Sequence, residues 1–122
     1  MALASQILTG LVALLHVYFL VLEMFLWDKP LGLKVFRNTP EKAEITKVLA
    51  ANQGLYNGFL AAGLLWALAS YGVIRGRPIL TFFLLCVLVA GLYGGATANP
   101  RILVVQAVPA FVALASVWAS RE

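Results

Sequence analysis

Four apolar runs, each about as long as a helix that crosses a lipid bilayer, take up most of this 122-residue chain. A hydrocarbon core about 30 Å thick needs roughly 20 mostly apolar residues in a helix. The runs extend from about Leu3 to Trp27, Val48 to Tyr71, Pro78 to Ala96 and Ile102 to Trp118. Inside lipid every backbone polar group must pair within its own segment, so these runs predict helices rather than open strands. With ends that reach into the interface, the helices are expected at about residues 3–27, 40–72, 78–97 and 101–119. Short turns make consecutive helices antiparallel neighbours. The expected fold class is all-α: an integral membrane four-helix up-down bundle, a single domain over residues 1–122, with a long amphipathic connection between the first two helices.

Composition points the same way. Hydrophobic residues are 62% of the chain and charged residues 11%, against about 45–50% and about 25% in a soluble domain. The net charge of +4 forms no patch with interleaved aromatics. The cations sit in connections between apolar runs, so the expected partner is membrane lipid and not nucleic acid. The first run lacks a basic leading region and is about twice the length of a signal-peptide core, so it reads as a retained helix. The single Cys86 lies within an apolar run, where a thiolate is unfavourable, and reads as a packing residue.

The connections are unequal. Asp28 to Lys47 carries most of the charge. Pro30 and Gly32 break the first helix. Asn38-Thr39-Pro40-Glu41 is a helix-start signal: a capping side chain, a proline in the first turn and an acid near the positive end of the dipole. Between them, Leu31, Leu33, Val35 and Phe36 alternate with Lys34 and Arg37, as in a segment lying on the membrane surface. Arg75-Gly76-Arg77-Pro78 and Asn99-Pro100 are tight turns that open the third and fourth helices. Trp27, Tyr71 and Trp118 stand at helix ends, where interfacial aromatics collect. The face with the long connection holds Lys29, Lys34, Arg37, Lys42, Lys47 and Arg101; the other holds Arg75, Arg77 and Arg121. The excess of cations places the long connection in the cytoplasm and both termini outside, in a plasma (inner) membrane.

Polar residues inside apolar runs are costly, so they carry the functional information. Thr9, His16 and Glu23 are seven apart, which returns a helix to nearly the same direction. They form one stripe, expected to face the bundle. In the second helix Asn52, Gln53, Tyr56 and Asn57 form a broad polar arc, and Ala50, Gly54, Gly58 and Ala62 form the opposite, small-residue arc, where another helix can approach closely. Glu23, Asn52 and Gln53 each lie about one turn from the long-connection end of their helices. Gln106 lies about one turn into the fourth helix from the same end, and His16 lies near the midplane, level with Asn57. Gly91, Gly94 and Gly95 form another small packing face. Glu23, His16, Asn52, Gln53, Tyr56, Asn57 and Gln106 are therefore the candidate ligand-binding residues.

A metal centre needs three or four ligands, and no second histidine, aspartate or thiolate accompanies His16 at its depth. Haem would have His16 alone as an ordinary axial ligand. No metal and no cofactor are expected. G-x-S-x-G, phosphate-loop and H-E-x-x-H motifs are absent from the sequence.

The pattern from His16 through Glu23, Met24 and Trp27, with the run Asn52-Gln53-Gly54-Leu55-Tyr56-Asn57-Gly58, resembles a family of small bacterial membrane proteins known as domain of unknown function number thirteen hundred and four. The likeness covers nearly the whole chain. It implies a four-helix inner-membrane protein and supplies no activity. In size and layout the chain is also similar to small multidrug resistance transporters, which carry a first-helix glutamate. It departs from them in placing its glutamate near a helix end beside a histidine.

Three functions fit these residues. The first is binding of a small amphipathic or lipid-like ligand in an intramembrane polar cleft. The second is proton- or cation-coupled transport by a homo-oligomer built through the small-residue faces. The third is a membrane enzyme with Glu23 and His16 as acid and base, for which the sequence specifies no reaction.

Overall fold

The computed structural model describes residues 2–121, and among them every regular element is helical. Helix α1 spans Ala2–Met24, α2 Pro30–Val35, α3 Pro40–Ser70, α4 Gly72–Arg75, α5 Arg77–Thr97 and α6 Val108–Ala119, with a π-helical turn at Leu103–Ala107 ahead of α6. Two helices, α1 and α5, are long and apolar enough to cross a membrane; the apolar stretch Leu103–Ala119 is shorter. At 31 residues, α3 is the longest, but its amides dilute its apolar character.

The residues group into two units, and α1 and α3 each contribute to both. One unit runs from Leu15 to Phe59. In it the second half of α1 packs antiparallel on the first half of α3. Glycine permits the close approach: a Cβ on Gly54 would lie 2.8 Å from Met24 Cγ and 3.3 Å from the Leu20 carbonyl oxygen, and one on Gly58 2.6 Å from Leu20 Cδ1. The chain between these helices is folded tightly. Any Cβ at Gly32 would collide with the Leu26 carbonyl, the Trp27 ring lies 4.8 Å from that of Phe36, and the Trp27 indole donates to Thr46 Oγ1 at 3.0 Å.

Local chemistry sets both helix boundaries in this connection. Helix α2 closes with Arg37 in the left-handed region at φ 51°, while the Asn38 and Arg37 amides bond back to the Leu33 and Lys34 carbonyls at 2.9 and 3.3 Å. This is the pairing by which a helix end satisfies its orphan carbonyls. Helix α3 then starts with Thr39 Oγ1 accepting the Lys42 amide at 3.2 Å, followed by Pro40 and Glu41 in its first turn.

The second unit holds the residues up to Leu14 and those from Leu60 onward. Its core joins Val12 and Ala13 of α1, Leu64 and Ala67 of α3, Val73 of α4, Leu80, Leu84 and Val87 of α5, and Ala110, Ala113 and Val117 of α6. Gly72 at φ +78° supplies the turn after α3 that residues with a Cβ rarely adopt. Helix α5 meets the π-turn through its glycines: a Cβ at Gly91 would lie 2.7 Å from the Ala107 backbone nitrogen, and one at Gly95 would collide with the Leu103 side chain.

The fourth apolar run reads in sequence as one regular helix. The π-turn departs from that, and Pro109 is the physical reason. Proline has no N–H for the Val105 carbonyl, and its ring crowds that carbonyl in an α-helix. The preceding turn is widened, with the Val108 amide bonding to Leu103 O, five residues back.

Candidate functional site

Helix α1 buries four polar side chains beside Val12, Ala13 and Leu22, and leaves large apolar ones outside. Leu3, Ile7, Leu11 and Leu14 are 55–68% exposed, whereas Ser5, Thr9, His16 and Glu23 are buried. Glu23 is 3% exposed, and its Oε1 accepts the side-chain amide of Asn57 at 2.5 Å. Position on α3 explains the pairing. At about 100° per residue, Asn57 lies at the edge of the face that carries Ala50, Gly54 and Gly58. That face closes on α1, and Asn57 is thereby carried to the carboxyl.

Asn52, Gln53 and Tyr56 lie elsewhere. All three are exposed, with Tyr56 at 58% and its ring edge-on to Phe59 at 5.6 Å. Of the four polar α3 residues singled out in the sequence, the fold brings only Asn57 to Glu23. His16 is fully buried and stands edge-on to Phe19 at 5.4 Å between ring centroids. It is two turns from Glu23, about 10 Å along α1. Gln106 is half-buried in the π-turn of the other unit. Among the described residues no group of three His, Cys, Asp or Glu side chains is placed to hold a metal.

Where the Glu23 unit meets its connection, Lys47 Nζ lies 3.0 Å from Asp28 Oδ2. This ammonium holds the Asp28 carboxyl below its usual range, and the carboxylate raises Lys47 in turn.

A second polar cluster, in the other unit, escaped the reading of the sequence. Ser5 and Ser120 share a hydrogen bond of 2.8 Å, and Arg77 donates through Nη2 to the Ser120 carbonyl at 2.6 Å. The Arg77 guanidinium sits over the Trp118 ring, 5.0 Å from its centroid, and the Trp118 indole donates to Thr81 at 2.9 Å. One signal was present. Ser5 is eleven residues before His16, which places it on the Thr9–His16 face of an α-helix. Thr9 Oγ1 and Arg77 Nε are buried without a hydrogen-bond partner among the described residues.

A family model described as "Protein of unknown function (DUF1304)" matches residues 10–118. The "Uncharacterized protein YpaA" of Lactococcus lactis subsp. lactis (strain IL1403) is 33% identical over 118 residues, covering 95% of this chain and 98% of that relative. No solved structure matches the chain.

Proposed function

Because this chain belongs to the DUF1304 family, described only as of unknown function, we propose its role from its own geometry: a four-span inner-membrane protein that binds a small amphipathic ligand at the Glu23–Asn57 pair. The outer face of α1 supports the membrane reading: Leu3, Ile7, Leu11 and Leu14 are exposed while Ser5, Thr9, His16 and Glu23 are buried, an arrangement that a hydrocarbon solvent favours. Helix α3 and the stretch leading into α6 complete the four spans. The cation-rich connection faces the cytoplasm and both termini lie outside.

The single observation behind the binding role is a buried carboxyl held by a neutral amide of the facing helix. A carboxylate in hydrocarbon costs several kcal/mol unless it is protonated or paired. Asn57 satisfies part of its hydrogen-bonding capacity and none of its charge. A ligand with a cationic or hydrogen-bond-donating head completes what Asn57 leaves undone, and its tail is at home among the surrounding apolar helices. The test compares thermal unfolding of the protein in lipid nanodiscs with dodecylamine, dodecanol or laurate added. Dodecylamine is expected to raise the midpoint of the native protein and to have no effect on Glu23→Gln. Equal shifts in both proteins, or no shift with any of the three, overturn the reading.

The same neutral partner favours a second reading, proton- or cation-coupled transport. With no fixed positive charge contributed by Asn57, an exchangeable proton or substrate cation can neutralise Glu23. Proteoliposomes loaded with a pH dye test it. Uptake that accompanies a proton gradient in native protein and vanishes in Glu23→Gln supports transport; equal uptake in both removes it.

A further inference from the structure

We propose that a second copy of this chain docks along an outer seam of α3 that begins at Ile45 in the interface and continues in the membrane through Leu49, Asn52, Tyr56 and Phe59. The inference rests on α3 spanning the bilayer and is independent of any ligand at Glu23.

The spacing of these residues is four, three, four, three. An average of 3.5 is the repeat that keeps one stripe of a helix facing a partner helix along its whole length. The stripe is outward-facing throughout: Ile45 is 84% exposed, Leu49 71%, Tyr56 58% and Phe59 53%, and Asn52 between them is exposed as well. The helix runs unbroken from Pro40 to Ser70, so nothing interrupts the seam. The small-residue face of α3 is already occupied, because Gly54 and Gly58 lie against Leu20, Glu23 and Met24 of the same chain. An oligomer built through that face would have to displace α1, whereas the outer seam is exposed among the described residues.

Asn52 identifies the occupant. Acyl chains offer an amide neither donor nor acceptor, and apolar residues alone give a helix little reason to prefer another helix over lipid. A primary amide carries both functions, so it is complementary to itself. Two chains inserted in the same direction are related by an axis along the membrane normal, which runs their α3 helices parallel and sets equal residues across from each other. Asn52 then meets Asn52 of the second copy, each donating to and accepting from the other. A single polar residue within an apolar seam is the device that fixes register in parallel helix pairs. Gln53 flanks the seam and can reach the same amides.

The experiment uses the full chain in native-like membranes, with Cys86 replaced by alanine and single cysteines introduced in turn. Oxidation is expected to yield disulfide dimers with Leu49→Cys, Tyr56→Cys and Phe59→Cys, and little with Ala51→Cys and Leu55→Cys. Energy transfer between labelled chains is expected to show association about three- to tenfold weaker for Asn52→Ala, the scale of two modest interhelical hydrogen bonds in lipid. Circular dichroism of each variant checks that the helices remain. Cross-linking without this periodicity overturns the proposal, as does energy transfer that Asn52→Ala leaves unchanged. Spin labels on the seam with oxygen accessibility typical of lipid and no dipolar broadening would assign the face to acyl chains and also overturn it. Glu23→Gln is expected to dimerise normally, which separates this result from that of the binding test.

Discussion

Asn57 reaches across 34 residues of chain to donate its side-chain amide to the Glu23 carboxyl, and it does so from beside Gly54, the residue that lets the two helix backbones approach. Sterics and polarity are thus coupled at one level of the α1–α3 contact. Gly54 lets the helices come close enough to bury the carboxyl, and the amide that arrives at the edge of the same face gives the buried carboxyl a hydrogen-bond partner.

The coupling predicts a non-additive mutant cycle. Asn57→Leu leaves a buried acceptor without its donor and is expected to cost about 1–3 kcal/mol. Glu23→Leu strands the amide at a similar cost. Replacing both by leucine removes the stranded group and is expected to cost clearly less than the sum of the two. Reversible unfolding in mixed micelles measures the cycle. Additive losses would mean that the pair does not act as a unit.

Helix packing in the other unit makes a sharper steric prediction. A Cβ at Gly91 meets the Ala107 backbone, at 2.7 Å from N and 2.9 Å from Cα, whereas one at Gly10 meets nothing within 4 Å. Backbone cannot rotate aside as a side chain can. Gly91→Ala is expected to destabilise by about 1–3 kcal/mol. The same change at Gly10 is expected to stabilise by up to about 1 kcal/mol, since alanine is the better helix former. Both are read from the unfolding midpoint.

These contrasts show which features were legible in the sequence. The start of α3 could be read because Asn38, Thr39, Pro40 and Glu41 act on their own immediate backbone. The burial of Glu23 followed from its cost in hydrocarbon, and the packing role of Gly54 and Gly58 from their size. The rotation of α3 about its axis was not legible. An exposed amide is costly beside an apolar run, so the sequence reads both the amide arc and the small-residue arc of α3 as packed faces. Close approach selected the glycines, so Asn52, Gln53 and Tyr56 turned outward and only Asn57, at the border, stayed with Glu23. The π-turn was not legible either, since a proline within an apolar run marks a local disturbance of the helix without saying whether it kinks or widens the preceding turn.

At the connection, Asp28 and Lys47 predict a small, exposed pH effect. Lys47 lowers the Asp28 pKa and Asp28 raises that of Lys47. Stability from the aspartate is fully present above its unfolded value, about 3.9, and is lost as pH falls through the lowered folded value. Stability from the lysine is present below about 10.4 and is lost as pH rises through its raised folded value. Both contributions coexist across neutral pH. A carboxyl NMR titration is expected to place Asp28 below an ordinary aspartate, and Lys47→Met to return it toward that value. Salt should narrow the difference, because the pair is screened by solvent.

The Arg77 cluster predicts that charge alone will not replace geometry. The guanidinium donates to the Ser120 carbonyl just past the end of α6 while its central carbon lies over the Trp118 ring. A planar fork can hold both contacts at once; the ammonium of lysine is a point charge on a flexible stem. Arg77→Met is expected to cost about 1.5–3 kcal/mol, the range for a hydrogen bond from a charged donor, and Arg77→Lys to recover less than half of it. Ser120 is also tied to α1 through Ser5, so loosening the end of α6 should be felt there. Hydrogen exchange is expected to quicken at the Ser120 amide in both variants, and more in Arg77→Met. Equal stability of the lysine variant and the native protein would show that the fork geometry contributes nothing beyond its charge.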